Sequence, residues 1–193
     1  MSKNVLVIGT GTIGEPLIGL LAEHKESLGL DKVIFFKRTP LSEERGKVEA
    51  LLRKGAEIVS TNDALSEFHQ LGFNEIKDVE LAYEQSDVII DCTPSGNDNW
   101  EKIYSSLSQD KRFMAQGSEH GFGPFFAWGI NNEILKDESN KFLIASCNTH
   151  NIASIVKAFA LDQQRDLLEG KFVCLRRAND VSQNDSFSPS PTI

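Results

Sequence analysis

The feature that most constrains the fold is a glycine-rich turn between two apolar segments. Residues 5–8 are a continuous apolar run, which is typical of a strand buried on both faces of a parallel sheet. Residues 9–14 have the pattern G-x-G-x-x-G and lead into apolar residues at helical spacing. In this context Gly9 permits the turn, Gly11 lets the backbone approach a pyrophosphate, and Gly14 allows close helix packing. The alternative is a glycine-rich turn with no ligand.

The second predicted strand, residues 33–36, runs into a basic turn. A domain that binds NAD usually presents an acidic residue here to the ribose 2′-hydroxyl group. This chain has Lys37, Arg38 and Thr39 instead, and two cations with a hydroxyl favour a 2′-phosphate. We therefore predict that NADP is accepted alongside NAD. The alternative is a solvated basic turn without a ligand.

A further apolar strand, residues 87–91, ends in a short turn that contains Cys92, Thr93 and Pro94. In a doubly wound sheet the ligand lies beyond the carboxyl ends of the strands. The sequence therefore predicts that this turn borders the cofactor. Together, the glycine turn and the successive apolar strands predict an α/β fold of the Rossmann type, with a doubly wound and mostly parallel sheet.

Two later segments carry weaker expectations. The predicted strand at residues 113–115 opens into a loop with Gly117, which we expect to lie over a bound nucleotide, and with His120. His120 is either a base or an ordinary polar loop residue. Residues 125–129, which are rich in aromatic side chains, are expected in the core, and residues 172–177 have strand character.

Cys147 lies at a predicted junction between a strand and a helix. The apolar run at residues 142–145 precedes it, and apolar residues at helical spacing follow it. The first N–H groups of a helix are unpaired and carry partial positive charge, which favours the nucleophilic thiolate. A catalytic nucleophile is one interpretation of Cys147, and a small buried apolar residue is the other.

Composition excludes several classes of function. The chain has 193 residues, a formal net charge of −8 and a pI near 5.0, which argue against nucleic acid or an anionic membrane as the main partner. Its three cysteines do not suggest a disulfide framework, and their spacing with the histidines predicts no metal site. No leader or apolar run long enough for a membrane span is evident, so we predict a cytoplasmic protein.

Several segments coincide, in order and spacing, with one known family. They are residues 9–14, 37–40, 91–94, 115–120, 146–149 and 176–177. The chain resembles the N-terminal part of archaeal-type (type II) glyceraldehyde-3-phosphate dehydrogenase along essentially its whole length. The resemblance implies an NAD(P)-binding Rossmann domain at residues 1–147. Residues 148–193 would then begin a second, α+β catalytic domain that is incomplete in this chain.

The resemblance also implies a reaction. It is the phosphorylating, NAD(P)-dependent oxidation of glyceraldehyde 3-phosphate to 1,3-bisphosphoglycerate, in which Cys147 forms a thioester that inorganic phosphate cleaves. We expect small-molecule substrates and no nucleic acid or membrane partner. We also expect a homo-oligomer, which is a tetramer in the family. Matched position by position with the family, the implied cofactor contacts are Thr12, Ile13, Gly117 and Arg177. Arg176 would take the place of Arg177 if the alignment shifted by one residue. Ser146, Cys147 and Asn148 would contact the substrate.

The departures from the family qualify this expectation. His150 and Asn151 replace a threonine and a glycine of the family, and its catalytic histidine and His-His-Gly loop fall beyond Ile193. We therefore expect no general base within this chain. His150, one helical turn from Cys147, either stabilises a thiolate or has no such role in the helix cap. The alternatives are a semialdehyde or acyl-phosphate dehydrogenase, and an inert nucleotide-binding module without the second half.

Overall fold

The computed structural model describes residues 3–94, 96–116, 121–136, 138–162 and 167–174. The strands are β1 (Lys3–Ile8), β2 (Leu30–Phe36), β3 (Glu57–Ser60), β4 (Lys77–Asp78), β5 (Val88–Asp91), β6 (Arg112–Gln116), β7 (Phe125–Phe126) and β8 (Lys141–Ile144). The helices are α1 (Gly14–Glu23), α2 (Arg45–Arg53), α3 (Leu65–Gln70), α4 (Val79–Gln85), α5 (Asn99–Lys102) and α6 (Cys147–Val156), and a π-helical turn (Lys157–Leu161) extends α6.

The strands form one sheet in the order β4-β3-β2-β1-β5-β6-β8-β7, and every pairing among the described strands is parallel. The chain moves outward from β1 through β2, β3 and β4, and then returns to the other side of β1 with β5. This reversal places the topological switch point between β1 and β5. The predicted Rossmann-type α/β fold is confirmed, and its sheet is entirely parallel within the described residues.

The core lies on both faces of the sheet, because successive side chains of a strand point to opposite sides. In β1, Val5 and Val7 join one apolar cluster, and Leu6 and Ile8 join the other. Helices α1, α2 and α3 contribute to the first cluster, while α4 and Tyr104 contribute to the second. This two-sided burial explains why β1 is apolar at every position from 5 to 8.

Outside the sheet centre, the expectation that residues 125–129 lie in the core is confirmed for Ala127, which is buried, and is wrong for Phe125 and Trp128. Trp128 and Phe125 are 69% and 52% exposed, because β7 is a two-residue strand at the edge of the sheet, which covers little of its own surface. Residues 172–174 have no regular secondary structure, so the described part of the predicted strand at 172–177 does not form. Among the described residues, no helix combines the length and apolar character needed to cross a membrane.

Phe113 provides a test of the core. Its side chain is 1% exposed, packs edge-on against Trp100 with ring centroids 5.3 Å apart, and stacks on Tyr104 at 5.6 Å. We expect Phe113→Ala to lower the free energy of unfolding by about 3–5 kcal/mol, because it leaves a cavity among fixed aromatic rings. The control Phe125→Ala, at an exposed position, is expected to cost less than about 1 kcal/mol. Urea denaturation measures both, and equal losses would contradict this description of the core.

Candidate functional site

The glycine turn after β1 is shaped by two close backbone approaches. Gly9 has φ +96°, and a Cβ at that position would lie 3.2 Å from the carbonyl group of Cys92. A Cβ on Gly14 would lie 1.9 Å from the carbonyl oxygen of Gly9, so only glycine fits there. These two glycines are therefore required by the protein itself, as the strand–turn–helix pattern predicted.

Gly11 differs from its two neighbours in the motif. Its φ is not positive, and an added Cβ would meet no atom of the described residues within 4 Å. None of the described residues therefore demands glycine at this position, whereas a pyrophosphate that approaches the backbone would. Thr12 and Ile13 beside it are exposed, and no described side chain caps the start of α1. In the first turn the N–H group of Glu15 donates to the carbonyl oxygen of Gly11 at 3.0 Å and Pro16 has no N–H group, so an anion would be bound by the N–H groups of the glycine turn itself. The turn thus fits a dinucleotide.

Asp91, at the end of β5, organises the turn on the other side of the switch point. It is 6% exposed and accepts four hydrogen bonds. One carboxylate oxygen accepts from the N–H group of Thr93 at 2.8 Å and from its hydroxyl group at 2.6 Å. The other accepts from Asn99 Nδ2 at 2.7 Å and from the hydroxyl group of Tyr104 at 2.8 Å.

These bonds fix the turn that contains Thr93 and Pro94, which the sequence predicted at the edge of the cofactor site. Thr93 is half-buried and Pro94 is exposed. The role of Asp91 was not predicted from the sequence, although an aspartate before a turn often accepts a hydrogen bond from the backbone N–H group two residues on. Burial and the neighbouring Asp91 carboxylate raise the pKa of Tyr104, so this phenol stays protonated and donates its hydrogen bond.

Cys92 lies next to Gly14 in a closed environment. Its Cβ would be 3.3 Å from a Cβ added to Gly14. Burial, and secondarily the negative charge of Asp91, raise the pKa of the Cys92 thiol to about 12. A neutral, half-buried thiol is a poor nucleophile, so Cys92 serves as a packing residue.

Lys37 directly follows β2, where the sequence predicted a cation for a 2′-phosphate. Its side chain is 6% exposed, and its ammonium group is paired with the carboxylate of Glu44. Its backbone is held on both sides, because its N–H group donates to the carbonyl oxygen of Val59 at 3.1 Å and its own carbonyl accepts from Ser60 Oγ at 2.7 Å. Arg38 and Thr39 are exposed.

Cys147 is exposed and is the first residue of the ten-residue helix α6. Ser146 is the N-cap, and its hydroxyl oxygen accepts from the N–H group of Thr149 at 3.3 Å and lies 2.9 Å from Thr149 Oγ1. This cap fixes the first turn and so the position of the Cys147 thiol. Asn148, half-buried, follows in the same turn. The predicted strand-to-helix junction is thus present, and the cysteine is at the surface.

His150 is anchored to a different part of the chain. Its Nε2 lies 3.0 Å from the carbonyl oxygen of Trp128, and since a carbonyl only accepts, Nε2 carries the hydrogen of this bond. In the neutral ring the lone pair is then on Nδ1. The contact orients an imidazole in the turn of α6 that begins with Cys147.

The sheet relates the glycine turn to Cys147. Strands β1, β5, β6 and β8 are parallel neighbours, so the turns that follow them lie at one edge. At about 4.8 Å per strand, the ends of β1 and β8 are roughly 14 Å apart.

Gly117 and Arg177, both predicted cofactor contacts, lie outside the described residues, as do His120 and Arg176. The described residues hold no cluster of three or more side chains suited to a metal ion.

No protein-family model matches the chain. Its sequence is similar to archaeal glyceraldehyde-3-phosphate dehydrogenases. It is 27% identical to that of Pyrobaculum calidifontis over 81% of this chain and 44% of the relative, and 26% identical to that of Sulfolobus acidocaldarius over 93% and 50%. The enzyme of Methanobrevibacter smithii is 26% identical over 94% and 52%. The resemblance found in the sequence is confirmed, and the chain spans about half the length of these curated relatives.

Two solved structures are similar at a lower level. Glucose dehydrogenase from Haloferax mediterranei, in complex with NADP, Zn and gluconolactone, has a TM-score of 0.43 and 16% identity over 81% of this chain and 41% of that one. Apo D-lactate dehydrogenase from Escherichia coli has a TM-score of 0.40 and 17% identity over 82% and 41%. At these TM-scores the likeness carries no inference about function.

The two glycines at positions 11 and 14 are expected to respond differently to the same substitution. Gly14→Ala forces a Cβ into the carbonyl group of Gly9 and is expected to lower the free energy of unfolding by about 3 kcal/mol. Gly11→Ala, in open space, is expected to change it by less than about 1 kcal/mol. Chemical denaturation of both variants checks this, and a loss at Gly11 as large as at Gly14 would contradict the described turn.

The cysteines are expected to differ in alkylation by iodoacetamide at pH 8. With a pKa of about 12, only about one Cys92 thiol in ten thousand is a thiolate at that pH, whereas Cys147 is exposed. Because Cys174 is exposed too, the measurement uses a Cys174→Ser background, with Cys147→Ser added as the control. Peptide mass spectrometry should find Cys147 modified and Cys92 intact until the protein is denatured. Modification of Cys92 at the rate of Cys147 would contradict the assignment.

Proposed function

We propose that this chain forms the cofactor-binding and nucleophile-bearing half of an NAD(P)-dependent, phosphorylating glyceraldehyde-3-phosphate dehydrogenase. The observation that carries the proposal is the exposed Cys147 at the start of α6, on the same sheet edge as a glycine turn with an open position at Gly11. The names of the archaeal relatives support this reaction over other cysteine-dependent dehydrogenations.

The cofactor is proposed to bind at the switch point between β1 and β5. Gly9, Gly11 and Gly14 shape the turn, Thr12 and Ile13 stand at its mouth, and Thr93 and Pro94 border it from the end of β5. When bound, the nicotinamide ring supplies the acceptor for hydride. Gly117 and Arg177 stay proposed as further contacts. The chain's own role here is to bind and orient the cofactor.

Cys147 is proposed to form the covalent intermediate. Its thiolate sulfur attacks the aldehyde carbon, and loss of hydride from that carbon leaves a thioester on Cys147. Inorganic phosphate then attacks the thioester carbonyl and the carbon–sulfur bond breaks. The acyl phosphate is released, and Cys147 is again a thiolate. The cap formed by Ser146 holds the sulfur in place, and Ser146 and Asn148 are proposed to border the substrate.

The general base is proposed to lie outside this chain. His150 has its Nε2 engaged with the carbonyl oxygen of Trp128, so only Nδ1 is left to face a charge or a proton near Cys147. Positioned acid–base groups contribute about 10²–10⁴-fold to rates, so their absence slows turnover without preventing formation of the thioester. The proposed substrates, phosphorylated aldehyde and inorganic phosphate, and the homo-oligomer belong to the complete enzyme.

A second candidate function is a nucleotide-binding module without dehydrogenase activity. The observation that favours it is the engagement of His150 Nε2 with the carbonyl oxygen of Trp128, which takes that nitrogen away from acid–base work at Cys147. Both candidates require cofactor binding at the glycine turn, and they differ in the reactivity of Cys147 towards an aldehyde. A semialdehyde or acyl-phosphate dehydrogenase would share the thioester and differ in substrate.

A single-turnover experiment separates these candidates. Mixed with oxidised cofactor and glyceraldehyde 3-phosphate, the protein is expected to produce up to one equivalent of reduced cofactor per chain. Cys147→Ser should abolish this burst while cofactor binding by calorimetry is retained, because the serine hydroxyl is a far weaker nucleophile. Cys92→Ser is the matched control and should keep the burst. Cofactor binding without any burst in the unmodified protein would support the binding module and overturn the dehydrogenase.

A further inference from the structure

We propose that Glu44 is a specificity-determining residue at the adenosine end of the cofactor site, and that it makes this chain bind NAD more tightly than NADP. The inference rests on the proposed binding of NAD(P) at the glycine turn and concerns which of the two dinucleotides this chain binds more tightly. It runs against the simplest interpretation of the sequence, in which Lys37 is free to meet a 2′-phosphate.

The ammonium group of Lys37 is already neutralised within the protein. It is paired with Glu44, and the side chain that carries it is 6% exposed. The hydrogen bonds that Lys37 makes through its backbone to Val59 and Ser60 hold its Cα at the end of β2. A 2′-phosphate would have to displace the Glu44 carboxylate to gain this cation.

Glu44 is firmly anionic and half-exposed. It ends the 3₁₀ turn Ser42–Glu44 that precedes α2, and its side chain is 27% exposed. A hydrogen bond from Lys37, together with the charges of Lys37 and Lys47, lowers the pKa of the Glu44 carboxyl group, so it is ionised at neutral pH. Its second oxygen lies 3.8 Å from Lys47 Nζ, an exposed contact that solvent screens.

These side chains line a small surface cleft that reaches the glycine turn at Thr10. The residues along it are Thr10, Glu15, Lys37, Glu44, Lys47, Val48 and Leu51. Two carboxylates and two ammonium groups make the cleft neutral as a whole, since Lys47 also lies 3.5 Å from Glu15. A site for a phosphate with two negative charges would instead show an excess of cations among its lining residues, and the neighbouring Arg38 is exposed and does not line this cleft.

The chemistry of the cleft therefore matches a ribose hydroxyl group better than a phosphate. A carboxylate next to the adenosine ribose accepts a hydrogen bond from the 2′-hydroxyl, and it repels a 2′-phosphate. In dinucleotide-binding domains that acidic residue usually follows the second strand directly, where this chain has Lys37. Glu44, seven residues farther along the chain, brings a carboxylate to the ammonium group of Lys37, in the cleft that reaches the glycine turn.

Calorimetric titration with NAD and with NADP, without substrate, tests the proposal. The unmodified protein should bind NAD more tightly than NADP. Glu44→Gln keeps the shape, removes the repulsion and leaves Lys37 to meet the 2′-phosphate, so it should raise the affinity for NADP relative to NAD by about tenfold or more. The matched control is Glu43→Gln, which removes the same charge from the neighbouring exposed position, outside the cleft, and should leave the ratio unchanged.

A double variant guards against loss of the fold through an unpaired Lys37. Lys37→Met with Glu44→Gln removes the whole charge pair, and it should not gain the NADP affinity that the single variant gains. Tighter binding of NADP by the unmodified protein, or an unchanged ratio in Glu44→Gln, overturns the role of Glu44 while cofactor binding stands. Binding of neither dinucleotide overturns the proposed cofactor function itself, and this proposal with it.

Discussion

The parallel pairing of β1 with both β2 and β5 is the constraint on which the rest of the structure depends. It buries both faces of β1, which requires the apolar run at residues 5–8, and it brings the turns after β1 and β5 to one edge. The close approach of Gly14 to Gly9 then lets α1 pack directly against this edge. The crevice between the two turns follows from backbone packing, before any functional side chain is considered.

Charge at this edge is balanced mostly within the protein. Asp91 has its four hydrogen-bond donors on the β5 side, and Lys37 has Glu44 on the β2 side. Both groups are more than nine-tenths buried, where an uncompensated charge would be costly. Positive potential for an anion at this edge then comes from the exposed Arg38 and from the partial charges on the N–H groups of the glycine turn at the uncapped start of α1.

The parts of the molecule that the sequence predicted are those whose signal is local. The glycine turn, the apolar strands and the helix that begins at Cys147 each depend on neighbours in the chain. The pairing of Lys37 with Glu44 was missed because several acidic residues follow the basic turn, and only the 3₁₀ turn selects one of them. The contact of His150 with Trp128 spans 22 residues, and the exposure of Trp128 depends on its place beside an edge strand; neither has a local pattern.

The long detour of the chain between β1 and β5 has a kinetic consequence. Asn4 donates its N–H to Asp87 from 83 residues away, whereas β1 and β2 are joined by a short crossover through α1. Closing the longer loop has the larger entropic cost, so the β1–α1–β2 unit is expected to form early and β5 to join it late. The crevice between the turns after β1 and β5 is then completed by a late folding event. A ligand that contacts both turns would stabilise the pairing of β1 with β5, the contact that is expected to form last.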